Sequence, residues 1–166
     1  MSTQLRQLNV SYINAEDRLL LKVSTSENEE YRVWCTRRFT RALMDRLEET
    51  FQAEMPSSAA VPEPARREVA RMQHQQTITE ESFQQPYQAD PSGYPLGEDG
   101  LLVTNMKYSQ QADNTMQLFL GDNKGLGITL NLNEHLKHQL YELFARATEK
   151  AEWYTGGASE VSAVVH

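Results

Sequence analysis

The sequence predicts an α+β fold built from two antiparallel three-stranded meanders, each followed by a helix. Three observations predict it: short segments in which apolar and polar residues alternate, turn-forming residues between those segments, and an apolar residue every three or four positions after each third segment. We expect the two βββα units to form one barrel- or sandwich-like core, because a lone three-stranded meander is only marginally stable.

The first unit is expected over residues 1–52. Its three strands are predicted from inward-facing residues that recur at every second position. These residues are Leu8, Val10, Tyr12, Leu19, Leu21, Val23, Tyr31, Val33 and Cys35. Thr36 then suits a helix N-cap, and apolar residues recur every four positions from Phe39 to Phe51. A helix over about 37–52 is therefore expected to close the unit.

A connector is expected over residues 53–99. All six prolines of the chain lie in it, and it holds eight acidic but only three basic side chains. Proline fixes φ and removes a backbone donor, so a long central strand or an uninterrupted helix is excluded there. A short surface helix over about 64–76 is still expected, because Pro64 suits a first turn and Ala65, Val69 and Met72 recur at helical spacing.

The second unit is expected over residues 100–153, with its helix over about 134–153. Adding 97 to a residue number in the second strand, third strand or helix of the first unit gives a residue of the same kind here. Matching pairs are Leu21 and Leu118, Val33 and Leu130, Thr36 and Asn133, and Leu43 and Leu140. The first strand follows with an offset of 96, so that Tyr12 corresponds to Tyr108. Two interpretations stay open: an internal duplication, or two meanders with similar loop lengths.

The domain expected is a single one over residues 1–153, followed by a flexible tail over 154–166. The chain has one cysteine, no basic segment followed by an apolar run at its start, and no apolar stretch long enough for a membrane span. These features favour a soluble cytoplasmic protein that does not bind membranes.

Three arginines at the start of the first helix pose an electrostatic question. A helix N-terminus favours acidic side chains, yet Arg37, Arg38 and Arg41 stand there in a chain of net charge −7. One interpretation is internal, with Glu29 and Glu30 upstream and Asp45 one turn after Arg41 as partners. The other is an external anion, a phosphate or an acidic protein segment, bound together with Arg32 or Lys22.

Nucleic acid is a weaker partner on the grounds of charge. The first 51 residues contain eight basic and eight acidic side chains, the remainder is net acidic, and the isoelectric point is about 5.1. Duplex binding is therefore not expected, because it needs an extended basic face. Binding of a single strand or of a phosphate ligand through Arg37, Arg38 and Arg41 is kept as the alternative function.

No catalytic residue, metal ligand or cofactor site is predicted. His135 and His138 lie three apart on the second helix and are expected on its solvated face, without a third ligand beside them. Cys35 alternates inward and is expected to be a buried thiol rather than a nucleophile. The segment from Gly121 to Gly127 lacks the lysine of a phosphate loop and is expected to be a hairpin turn.

These exclusions favour a non-enzymatic protein–protein interaction module: an adaptor, assembly factor or small regulatory subunit. Trp34 is expected on the sheet face opposite the core, with Leu20 extending its patch, as an exposed aromatic beside arginines. Meander edges also invite pairing with a second copy, so a homo-oligomer, most simply a dimer, is expected. The candidate partner- or anion-binding residues are Trp34, Arg37, Arg38, Arg41, Arg32 and Lys22.

Overall fold

The computed structural model describes residues 4–54, 63–78, 86–88 and 90–153. Within these residues the strands are β1 (Leu5–Ile13), β2 (Arg18–Thr25), β3 (Glu30–Cys35), β4 (Leu101–Leu102), β5 (Asn105–Gln110), β6 (Met116–Gly121) and β7 (Gly127–Leu132). The helices are α1 (Arg37–Ala53), α2 (Glu63–Thr77) and α3 (Glu134–Lys150), with a 3-10 turn over Ala112–Asn114. The mixed α+β class is confirmed, and so are the six strands and three helices that the sequence pattern predicts.

The strands form two separate sheets, each built on a three-stranded antiparallel meander. One sheet has the order β1-β2-β3-β4 and the other the order β5-β6-β7. The described strands do not close into a barrel. The register places Leu21 opposite Val33 in the first sheet and Leu118 opposite Leu130 in the second, so the positions related by the offset of 97 play the same part in the two sheets.

Strand β4 was not predicted. It has two residues, and it pairs in parallel with β3, with Val33 opposite Leu101 and Trp34 opposite Leu102. The start of the expected second unit thus belongs to the first sheet. A parallel pair joined by a long connection leaves no local periodicity in the sequence, which is why the pattern does not reveal it.

Both units enter their helix through a side-chain cap. The Thr36 hydroxyl accepts a hydrogen bond from the Phe39 N–H, and the Asn133 amide oxygen accepts one from the Leu136 N–H. Each cap satisfies one of the amide donors that a helix start leaves unpaired. Both predicted N-caps are confirmed.

The core is one contiguous apolar cluster drawn from both units. Its members include Leu21 and Leu43 from the first unit and Leu118, Leu140 and Phe144 from the second. Cys35 lies in this cluster, and burial raises the pKa of its thiol to about 12, as expected for an inert thiol. The two sheets and the helices α1 and α3 therefore share their interior.

A buried ion pair joins α1 to α3. The side chain of Lys137 is fully buried, and its ammonium group contacts the carboxylate of Glu54, the C-cap residue of α1. Burial lowers the pKa of Lys137 to about 8. Such a pair fixes how the two helices meet, because either charge alone would be costly to bury.

Two expectations about exposure are wrong. Tyr108, which the offset places on the core face, is 45% exposed and lies beside Arg46, whose guanidinium carbon is 5.4 Å from the ring centroid. Leu20 is 8% exposed, so it extends no exposed patch. The predicted tail over 154–166 and much of the predicted connector lie outside the described residues.

Candidate functional site

The predicted patch around Trp34 is covered by the segment that leads into β4. The Trp34 indole N–H donates a hydrogen bond to the Asp99 carbonyl at 2.7 Å, and the side chain is half-buried. Gly100, in the left-handed region at φ +82°, lies so close that a Cβ there would be 3.1 Å from the indole nitrogen. The expectation of an exposed tryptophan is wrong, because the chain returns across β3 after a long connection.

Arg32 is engaged by the same segment. Its guanidinium pairs with Glu30 at 2.6 Å, donates to the Glu98 carbonyl at 2.7 Å and stacks over Tyr94 at 4.6 Å from the ring centroid. Glu30 also accepts a hydrogen bond from the Tyr87 hydroxyl, and burial, followed by this bond, raises the pKa of Tyr87. Glu30, expected as a partner of the helix arginines, instead helps to hold this segment on the first sheet.

The other predicted site residues lie on β2 and at the start of α1. Lys22 is opposite Arg32 in the β2–β3 ladder. Arg37, Arg38 and Arg41 lie at the start of α1 and are exposed. Their role in binding a partner or an anion stays a prediction.

A second cluster, which sequence reasoning missed, lies where the three helices meet. His74 of α2 and His138 of α3 are 5% and 4% exposed, and their Nδ1 atoms are 2.7 Å apart. The expectation that His138 lies on the solvated face of α3 is therefore wrong, whereas His135 is exposed as expected. The only sequence signal was the position of His138 between Leu136 and Leu140.

Aromatic stacking and carboxylates complete this histidine cluster. The ring of Phe51 stacks on His138 with a centroid distance of 4.1 Å and an interplanar angle of 8°. On the outer side, His74 Nε2 is 3.0 Å from a Glu142 carboxylate oxygen, and Tyr141 donates to Glu48 at 2.6 Å. Burial is the main cause that lowers the pKa of His138 to about 4, with His74 and Lys137 adding to it.

A cleft of about 500 Å³ opens beside this cluster, between α2 and α3. Arg71, His74, Tyr141, Glu142 and Arg146 line it. Three of the polar groups in the cleft bind one another, since Arg146 pairs with Glu142 at 3.1 Å and Glu142 also contacts His74. No group of three or more potential metal ligands occurs among residues 4–54, 63–78, 86–88 and 90–153. The two neighbouring rings can share a single proton between their Nδ1 atoms.

The third feature is the free edge of β7, which ends the second sheet. In the hairpin turn before β7, the Asp122 N–H donates a hydrogen bond to the Leu126 carbonyl at 2.9 Å, which confirms the predicted turn. Because this pair is hydrogen-bonded, the hydrogen-bonded pairs between β6 and β7 follow at every second position. By that alternation, residues 128, 130 and 132 bond to β6, and the backbone groups of Gly127, Thr129 and Asn131 point away from it.

A groove of about 650 Å³ runs along this edge. Its other wall comes from the first sheet and from the start of α3, with Leu5, Val23, Tyr31 and Leu136 as its apolar residues. None of the described residues that line it is charged, although charged residues make up 23% of the chain. The groove therefore joins open backbone donors and acceptors to a neutral, partly apolar wall.

Comparisons with known proteins add no functional information. No family model, curated protein or solved structure matches the chain. Among the helices that the structure describes, none combines the length and the apolar character needed to cross a membrane.

Proposed function

We propose that this protein is a non-enzymatic protein–protein interaction module, of the adaptor, assembly-factor or regulatory-subunit kind, which self-associates through the edge of β7. The observation that carries the proposal is the six-residue edge strand with outward-pointing backbone groups beside an uncharged groove. Open strand edges bind other strands through main-chain hydrogen bonds, and neighbouring pockets select the side chains.

The composition of β7 supports its use as an interface. Edge strands that must stay free of partners usually carry lysine, proline or a bulge, and β7 has none of these in Gly127–Leu132. The opposite edge of the same sheet, β5, carries Lys107. In the first sheet, the edge strand β4 is only two residues long, and the other edge strand, β1, carries Arg6 and has an irregular register between Leu5 and Gln7. Among these edges, β7 is the one left without a protective device.

A second copy of the chain supplies a fitting occupant. If β7 pairs antiparallel with its counterpart around a two-fold axis at Thr129, Thr129 faces itself and Gly127 faces Asn131 of the other copy. Each outward N–H and carbonyl then finds a partner, and no charge is buried. A closed two-fold pairing also ends the edge instead of propagating it.

The alternative function, binding of a single-stranded nucleic acid or a phosphate ligand through Arg37, Arg38 and Arg41, has less support. Arg32, one of the residues expected to converge with them, is ion-paired and stacked in the first sheet. We therefore retain nucleic-acid or phosphate binding only as the second candidate function.

Analytical ultracentrifugation of the full chain across a concentration series tests the proposal. We expect a reversible dimer for the native chain and a monomer for Thr129→Pro, because proline removes an outward N–H without removing a bond to β6. Thr129→Val is the matched control and should still dimerise, since it keeps the backbone donor. A monomer at every concentration contradicts self-association, and a dimer that survives Thr129→Pro with unchanged affinity places the interface elsewhere. Circular dichroism of each variant establishes that it is folded.

A further inference from the structure

We propose that the contact between His74 and His138 is an acid-sensitive latch that holds α2 against α1 and α3. This inference concerns regulation and is independent of the interface at β7. It rests on the geometry of the two rings and on how little else in the described structure secures α2.

The two imidazole rings can share only one proton. Their Nδ1 atoms are 2.7 Å apart, so one ring must donate and the other must accept. If both nitrogens carry a proton, two donors and two positive charges face each other in a site that water hardly reaches. The closed arrangement therefore requires that at least one ring is neutral.

The surroundings make His138 the ring that stays neutral. His74 has a carboxylate partner, because its Nε2 is 3.0 Å from Glu142. Among the residues that the structure describes, His138 has His74 as its only hydrogen-bond partner, while Phe51 covers its face. Lys137 and His135 on α3 add positive charge nearby, and burial is the largest cause that lowers the pKa of His138.

The remaining charged groups around the contact belong to all three helices. On α2, Arg71 lines the same cleft; on α3, Glu142 pairs with Arg146; on α1, Glu48 accepts the hydrogen bond of Tyr141. Each of these two carboxylates already binds a neighbour, so neither is placed to neutralise a second positive charge on the histidine pair. Acidification thus adds charge that the closed site cannot balance.

Few other contacts hold α2 in place. Among its described side chains, Ala70 and His74 are buried, Val69 is half-buried against the core, and Met72 is 58% exposed. Arg66 adds one hydrogen bond, to the carbonyl of Gln52 at 2.8 Å. A 15-residue helix with so narrow a buried stripe depends on its tertiary contacts for stability.

The sign of the pH effect follows from the depressed pKa. A histidine whose pKa falls from 6.5 to about 4 on docking leaves the docked state undisturbed above pH 6.5. As pH falls from 6.5 towards 4, the released state takes up the proton first, and docking weakens progressively. Release of α2 uncovers Phe51 and Tyr141, which line the contact with it.

Amide hydrogen exchange of the full chain, read by mass spectrometry and corrected for the intrinsic effect of pH, tests this latch. Between pH 7 and pH 4.5 we expect the protection of α2 to fall about tenfold or more, while the protection of α1 and α3 changes far less. In His138→Gln, which cannot take up a proton but can still donate to His74, the loss should be less than about threefold.

His135→Gln is the matched control, because His135 is exposed on the same helix. It should reproduce the native pH profile. The latch is refuted if α2 protection in the native chain does not respond to pH, or if His138→Gln and the native chain lose protection in parallel. If His138→Gln does not fold, His138→Asn replaces it in the same measurement, with the same two outcomes, because the asparagine amide also cannot take up a proton.

Discussion

The two βββα units have the same order of elements and similar apolar spacing, but the outer edge of the third strand is covered in the first unit and open in the second. In the first unit, β3 is covered by β4 and by the segment that supplies Asp99 and Gly100. In the second, β7 ends its sheet and faces a groove. Trp34 and Asn131, separated by 97 positions, mark the contrast, since one is held by a hydrogen bond to Asp99 and the other is exposed.

This difference shows that local sequence determines the elements, whereas distant chain segments determine which surfaces stay open. The aromatic residue that looked like a binding surface serves to anchor the returning chain. Strand β7, by contrast, retains an open edge, although its exposed side chains, Thr129 and Asn131, give no sign of a binding surface. A search for an interface should therefore follow unpaired backbone as well as conspicuous side chains.

The largest expected effect tests whether the two units fold as one. Leu43 in α1 and Leu140 in α3 are fully buried in the same apolar cluster, at positions related by the offset of 97. Leu43→Ala and Leu140→Ala should each lower the free energy of unfolding by about 3 kcal/mol. Chemical denaturation followed by circular dichroism should show a single transition in both variants. Two transitions, with each variant shifting only one, would show that the units fold independently.

Elements with a local cause could be predicted from the sequence. The alternation around Leu21 and Leu118 gives the strands, and the N-caps Thr36 and Asn133 give the helix starts, because these signals act between residues close in the chain. Inward placement of Cys35 follows from the same period of two.

Features that depend on distant partners could not be predicted. Lys137 is fully buried because Glu54 meets it, and no hydrophobic period marks a lysine as buried. His74 lies in a glutamine-rich segment and His138 on a helix of mixed composition, so their contact across 64 positions leaves no local trace. The same holds for β4, whose partner is about 70 residues earlier in the chain.

A second prediction compares the covered and the open edge directly. Trp34→Ala removes a half-buried ring and its hydrogen bond to Asp99, and should lower the free energy of unfolding by about 2 kcal/mol. Asn131→Ala, at the corresponding exposed position, should change it by less than about 0.5 kcal/mol. Trp34→Phe keeps most of the ring and should lose about 1 kcal/mol, which isolates the hydrogen bond. Equal losses for Trp34→Ala and Asn131→Ala would contradict the contrast between the edges.

A third prediction concerns the feature that the two units share. Thr36→Ala and Asn133→Ala each remove a cap that satisfies one backbone N–H, and each should cost about 1 kcal/mol. Thermal denaturation of both variants measures the loss. Thr36→Ser and Asn133→Asp keep an acceptor oxygen and should restore most of the stability. A cost at one helix alone would show that the two starts are not equivalent.

The smallest expected effect is a gain in the free energy of unfolding. It concerns a pair of helix positions that the offset of 97 relates but that carry different residues. Thr40 in α1 corresponds to Lys137 in α3, and both side chains are fully buried. The Lys137 ammonium meets Glu54, whereas the Thr40 hydroxyl has no hydrogen-bond partner among the described residues. Thr40→Val replaces that hydroxyl with a methyl group of similar size, so it should raise the free energy of unfolding by about 0.5 to 1 kcal/mol, measured by urea denaturation. Thr40→Ser is the control, since it keeps the hydroxyl and deletes the methyl group; it should destabilise. A loss of stability in Thr40→Val would mean that the hydroxyl is hydrogen-bonded in solution. The two helices would then differ in which group partners the buried polar side chain, and not in whether that side chain has a partner.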